Sequence, residues 1–99
     1  MPTSLTLEFS GGSEFLVGNQ KEHKVSLPID QPTVSQLIQW IKKEILTDHN
    51  RDDLFVMDDS VRPGVLVLVN ECDWELLERN ETILKDGDVV TFISTLHGG

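Results

Sequence analysis

Leu5, Leu7 and Phe9 alternate with Thr6, Glu8 and Ser10, a period of two that predicts a half-buried strand with its apolar side inward. His23, Val25 and Leu27 alternate in the same way and predict a second strand, ended by Pro28. Gly11-Gly12-Ser13 and Gly18-Asn19 are turn signals. Phe15-Leu16-Val17 between them reads as a loop packing back on the core, so the first two strands form an antiparallel hairpin. Val34, Leu37, Ile38, Ile41 and Ile45 then recur at helical spacing as one apolar stripe, with Lys42, Lys43 and Glu44 toward water. Pro32-Thr33 opens this helix, with Thr33 as N-cap and Gln36 three residues on in the capping-box pattern. The polar stretch from Asp48 to Asp53 breaks the period.

Leu54 to Met57 is a short apolar piece, readable as a helical turn or a brief strand. Loop residues follow through Arg62-Pro63-Gly64. Val65 to Val69 is apolar at every position and is the strongest strand signal in the chain. Asn70-Glu71-Cys72-Asp73 turns the chain, and Trp74 to Leu77 reads as a short strand pairing back. Asn80 to Thr82 is a loop, Lys85-Asp86-Gly87-Asp88 a tight turn with Gly87 at positive φ, and Val89 to Ile93 the last strand. One helix covers only one face of a small sheet, so the order predicts a two-layer α+β arrangement that suits a ubiquitin-like β-grasp fold, a mixed sheet on one main helix. Successive strand residues face opposite sides. Val65, Val67 and Val69 therefore cannot share a face with Leu66 and Leu68: one set meets the helix, and the other looks outward, either in part as an apolar docking patch beside the C-terminus or under the Phe15 or Trp74 segments.

Ninety-nine residues make one domain with one core. We divide it into a globular domain, 1–94, and a flexible C-terminal tail, 95–99. Seventeen acidic against eight basic residues give a net charge of −9. Such a chain repels phosphate backbones, which argues against direct nucleic-acid binding, and is steered toward a basic partner surface. No apolar run approaches a membrane span, and Met1-Pro2-Thr3-Ser4 does not open a secretory leader, so no membrane partner is expected. The single cysteine, Cys72, excludes an internal disulfide framework and fits a reducing compartment. Asn80-Glu81-Thr82 matches a glycosylation acceptor pattern that a cytosolic chain would not use.

The usual catalytic constellations are weak. His23, His49 and His97 have no metal-site spacing, and the acidic neighbours Glu71 and Asp73 do not activate Cys72. Asp52-Asp53 and Asp58-Asp59 read as solvated acid runs, and Asp86-Gly87-Asp88 lacks the ligand series of a calcium loop. Gly11-Gly12 through Gly18 has no following Lys-Ser/Thr and is not a phosphate loop. Neither an enzyme, a metal nor a cofactor is indicated. The feature that carries chemistry is the ending, Ser94-Thr95-Leu96-His97-Gly98-Gly99, directly after a strand. Glycine has no Cβ, so its backbone passes a narrow channel, and a glycyl carbonyl is the least shielded acyl group a protein offers. Two terminal glycines arise by chance in about 0.5% of chains, so a reactive Gly99 carboxylate is favoured over a small frayed end.

Asp59-Ser60-Val61-Arg62-Pro63-Gly64, Asp73-Trp74-Glu75-Leu76, Asp86-Gly87-Asp88 and Phe92-Ile93-Ser94-Thr95-Leu96-His97-Gly98-Gly99 are its most specific stretches. Through them, and over nearly its whole length, the chain resembles the eukaryotic ubiquitin-related modifiers, the sulfur-carrier branch of the ubiquitin-like proteins. Prokaryotic-type carriers for molybdopterin and thiamine synthesis share the fold and the Gly-Gly end, but the Arg-Pro-Gly and Asp-Trp-Glu-Leu signatures favour the modifiers. Cys72 lies outside the family pattern. The resemblance implies an activating enzyme with adenylation and rhodanese-like domains that converts the Gly99 carboxylate to an acyl-adenylate and then a thiocarboxylate. It implies delivery of that sulfur to a tRNA thiolase complex for 2-thiolation of wobble uridine in cytosolic tRNAs, and conjugation through an isopeptide bond to lysine-bearing target proteins. It implies that Thr95, Leu96, His97 and Gly98 thread into the activating enzyme, that no processing protease is needed, and that the protein is cytoplasmic with access to the nucleus. The rival readings are a conjugation-only modifier and a non-catalytic β-grasp interaction module.

Overall fold

The computed structural model describes residues 2–46, 53, 55–57 and 60–94. Strands β1 (Thr3–Ser10) and β2 (Glu22–Leu27) form the expected antiparallel hairpin, with Leu5 opposite Val25 and Leu7 opposite His23. Helix α1 (Val34–Glu44) follows, then the two-residue strands β3 (Val56–Met57) and β4 (Ser60–Val61), which pair with each other. Strands β5 (Val65–Val69), β6 (Cys72–Asp73) and β7 (Val89–Ser94) complete a five-stranded mixed sheet in the order β2-β1-β7-β5-β6. The last strand therefore lies in the middle, parallel to β1 and antiparallel to β5.

Each element has a local cause. Gln36 N–H donates to Thr33 Oγ1 (3.2 Å) and Thr33 N–H to Gln36 Oε1 (2.9 Å), the reciprocal capping box read from the sequence. Val34, Leu37, Ile38 and Ile41 are fully buried against the sheet, and Ile45, which caps the helix, packs on the core edge. Lys43 and Glu44 are exposed, and Lys42 is half-buried. Phe9, Phe55 and Phe92 meet at the centre with ring centroids 5.2 to 6.1 Å apart, Phe9 and Phe92 as direct neighbours across β1 and β7.

Several expectations change. Phe15-Leu16-Val17 packs back on the core only in part, and as a 3-10 turn, Ser13–Val17, not a loop. At three residues per turn, consecutive side chains cannot all face inward. Val17 is buried, Leu16 packs at the edge, and Phe15 is 68% exposed. Trp74 to Leu77 does not pair as a strand. Pairing with β5 stops at Asp73, whose carboxylate accepts from Glu75 N–H (2.9 Å) and caps a 3-10 turn, Trp74–Leu76. Trp74 is buried with the Arg79 guanidinium 5.6 Å from its ring centroid, and Leu76 is 79% exposed. A further 3-10 turn, Arg79–Glu81, takes part of the predicted Asn80 to Thr82 loop. Val56–Met57 is a strand, which decides between the two readings of that piece, while Leu54 lies outside the described residues. So do the acid pair Asp58-Asp59 and most of the polar stretch before Asp53. The final strand runs one residue further than predicted, to Ser94.

Candidate functional site

The segment that carries the C-terminus is β7, and both its ends are held. At its start, the two-residue turn Asn70-Glu71 joins β5 to β6 with φ of +51° and +68°. Two positive φ values match the right-handed strand twist, and Asn tolerates that conformation better than most residues. The Asn70 side chain then reaches β7. Its Oδ1 accepts from Val89 N–H (2.9 Å), its Nδ2 donates to Asp88 Oδ1 (3.1 Å), and its backbone N–H donates to Val89 O (2.7 Å). The Lys85–Asp88 turn closes on itself through Asp88 N–H to Lys85 O (3.0 Å) and Lys85 N–H to Asp88 Oδ2 (2.8 Å). Gly87 sits at φ +90°, the positive φ anticipated there. Its N–H donates to Ser4 O, and Ser4 N–H donates to Asp86 Oδ1, tying this turn to β1.

Along β7, Val90 and Phe92 are buried toward the helix, while Val89, Thr91 and Ile93 are half-buried on the opposite face. Ile93 stands directly across from Leu66, and Thr91 across from Leu68. Val65, Val67 and Val69 are buried, and Leu66 and Leu68 are half-buried, so the outward face keeps a partly open apolar strip next to the last strand. Its border is polar: Thr91 Oγ1 donates to Glu8 Oε1 (3.0 Å). The strand ends at Ser94, opposite Val65. The residues expected to thread and react, Thr95, Leu96, His97, Gly98 and Gly99, lie outside the described residues, as does His49.

Other candidates from the sequence do not converge. His23 Nε2 lies 2.9 Å from Gln20 O, and its ring packs edge-on to Phe9. Cys72 is half-buried at the far edge of the sheet, its Sγ 3.8 Å from Asp73 O. Among the described residues no group of three or more His, Cys, Asp or Glu side chains could hold a metal ion, and no helix is long and apolar enough to cross a membrane. Sequence reasoning missed Asn70 as the anchor of β7. The available signal was an Asn at a two-residue connection after a strongly apolar strand.

The sequence matches the family model described as Urm1 (Ubiquitin related modifier) over residues 4–99. It is 54% identical over 96 residues to a Chlamydomonas reinhardtii "Ubiquitin-related modifier 1 homolog", covering 94% of this chain and 95% of that one. It is 49% identical over 100 residues to the Homo sapiens "Ubiquitin-related modifier 1", covering 99% and 97%. The solution structure of Urm1 from Trypanosoma brucei superimposes with a TM-score of 0.78 at 40% identity, covering 99% of this chain and 97% of that one. A β-grasp sheet with its last strand at the centre, and a family match that runs through the final glycine, place this chain in the ubiquitin related modifier family, whose members are small sulfur carriers and ubiquitin-like modifiers and not enzymes.

Proposed function

We propose that the protein carries sulfur on its own C-terminus, as a thiocarboxylate at Gly99, for 2-thiolation of wobble uridine in cytosolic tRNAs, and that the same carbonyl is conjugated to lysines of target proteins. The observation that carries this reading is the placement of the Gly-Gly end five residues beyond a strand hydrogen-bonded on both sides. Five extended residues span at most about 17 Å, enough for the terminus to enter an active site while the globule docks outside.

The chemistry follows from the carboxylate. A carboxylate is a poor electrophile, so an activating enzyme with an adenylation domain supplies ATP. The Gly99 oxygen attacks the α-phosphorus and pyrophosphate leaves, giving an acyl-adenylate. A persulfide on the rhodanese-like domain attacks the carbonyl carbon and AMP leaves, giving an acyl disulfide. A second thiol of the enzyme attacks the enzyme-side sulfur. The S–S bond breaks, a new enzyme disulfide forms, and the protein departs as Gly99-COS⁻. A tRNA thiolase complex accepts the sulfur. Alternatively, a lysine amine attacks the carbonyl carbon of the acyl-adenylate, the acyl–phosphate bond breaks, AMP leaves, and an isopeptide bond forms. Gly98 gives clearance and backbone freedom, and Thr95, Leu96 and His97 fill the channel. The cell compartment is the cytoplasm, with access to the nucleus.

The half-buried strip of Leu66, Leu68 and Ile93 serves as the docking face for the activating enzyme, and the net charge of −9 steers the encounter toward a basic surface. The test is ATP–pyrophosphate exchange with the activating enzyme. Gly99→Ala is expected to impair exchange sharply while the unfolding transition stays in place. Exchange unchanged by Gly99→Ala would overturn the assignment and leave a β-grasp interaction module as the better description.

A further inference from the structure

Strand β7 is also held at its far end, by a turn that the tail chemistry does not use. β1 runs parallel to β7, so the residues after Ser10 emerge beside the last residues of β7, with Ser10 level with Ile93. Ser13 is buried, and its Oγ lies 3.0 Å from Phe92 O and 2.9 Å from Ser10 O. Its single proton is shared between the two carbonyls, one on each strand. Gly11 has φ +69° and packs so closely on β7 that a Cβ there would overlap the Ser94 carbonyl oxygen and lie 3.2 Å from both Ser94 N and Ile93 Cγ2. Around the two, the turn is braced from within: Gly12 N–H donates to Glu14 Oε1 (2.9 Å), and Asn19 N–H to Glu14 O (2.8 Å).

We propose that Gly11 and Ser13 are positioning residues for the C-terminus. Ser13 clasps the Phe92 carbonyl, Gly11 lets the β1 turn close on Ser94, and together they define the point from which residues 95–99 start. The inference rests on the reading of Gly99 as the activated group. A terminus about five residues from its last anchor must still bring one carboxylate into line with a phosphorus atom. Misplacement of reacting groups by about 1 Å costs on the order of a hundredfold in rate. A Cβ at Gly11 forces the turn and the backbone at Ser94 apart, because the atom it overlaps is a backbone carbonyl oxygen and not the end of a flexible side chain.

Gly87 provides the control. It also has positive φ, +90°, but a Cβ there meets nothing within 4 Å, and it lies at the opposite end of β7. Alanine at either glycine therefore carries similar backbone strain, and only Gly11→Ala disturbs Ser94. The experiment is ATP–pyrophosphate exchange as a function of modifier concentration for wild type, Gly11→Ala, Ser13→Ala and Gly87→Ala, at a temperature where urea unfolding shows each variant folded.

The expected result is a fall in kcat of about tenfold or more for Gly11→Ala and about threefold for Ser13→Ala, with KM within about twofold for Ser13→Ala, which leaves the docking strip intact; the Gly11 Cβ also presses on Ile93 Cγ2 at the edge of that strip, so Gly11→Ala is read on kcat alone. Gly87→Ala should hold both constants within about twofold. Should Gly11→Ala fail to fold, Ser13→Ala, which only removes an atom, carries the test. Equal kcat in wild type and the folded Gly11 and Ser13 variants would overturn the proposal while leaving the function of Gly99 standing. So would a fall in kcat equally large in Gly87→Ala. No exchange with wild type itself would overturn the reading of Gly99, and this proposal with it.

Discussion

Asn70 offers a direct test of how β7 is held. Its side chain makes two hydrogen bonds to the strand start, at 2.9 and 3.1 Å, from a backbone at φ +51°. Asn70→Ala and Asn70→Gly both remove these bonds. The site is exposed, so each bond contributes about 0.5–1.5 kcal/mol, and both variants lose about 1–3 kcal/mol on that account. The backbone then separates them. Alanine in the left-handed region costs about 1–2 kcal/mol that glycine does not pay. Glycine instead gains about 0.4–1 kcal/mol of unfolded-chain entropy to lose on folding. The difference leaves Asn70→Ala less stable than Asn70→Gly by about 0.5–1 kcal/mol. Urea unfolding followed by tryptophan fluorescence reads this, with equal m-values certifying that only stability has moved. At about 4–8 °C per kcal/mol in a domain this size, the two variants should also differ in Tm by several degrees. Asn70→Gly equal to or less stable than Asn70→Ala would refute the left-handed turn. Neither variant falling by about 0.5 kcal/mol would refute the side-chain anchor.

Other expectations follow from the same contacts. Thr33→Ala removes the hydroxyl half of the capping box and should cost about 1 kcal/mol in urea unfolding, whereas a loss below a few tenths would mean that the Gln36 half suffices. Phe92→Ala empties the centre of the three-phenylalanine cluster and should cost about 3–5 kcal/mol, with Phe92→Leu recovering much of it; equal losses would mean that the ring is not packed as described. Leu66→Ser with Leu68→Ser should raise the KM for the activating enzyme by about tenfold, a loss of about 1.4 kcal/mol of docking, and leave kcat near wild type; an unchanged KM would move the docking face elsewhere.

The elements legible in the sequence were those whose periodicity follows from burial on one face. Leu5, Leu7 and Phe9, the α1 stripe and the Val65–Val69 run each met the core as their spacing required. The 3-10 turns were not legible, because three residues per turn gives no sustained pattern over five residues or fewer. That is why Phe15 was expected against the core and Leu76 in a strand, and why both stand exposed. Nor does periodicity reveal that β7 lies beside β1, a pairing across about eighty residues that depends on tertiary closure. The consequence is functional. Gly98-Gly99 was readable as a reactive end from residue chemistry alone, but the anchors of the strand beneath it, Asn70 at one end and Ser13 at the other, required the fold.

The central claim is that sulfur resides on Gly99. The most direct measurement is an organomercurial gel, which retards thiocarboxylates, run on protein from its own cells beside a Cys72→Ser variant and a variant lacking Gly99. Intact mass is less decisive, since exchanging oxygen for sulfur is nearly isobaric with one oxidation of Met1 or Met57. The expected result is a retarded band that survives Cys72→Ser and vanishes without Gly99. No retarded band in cells with an active activating enzyme, or one that persists without Gly99, would contradict it.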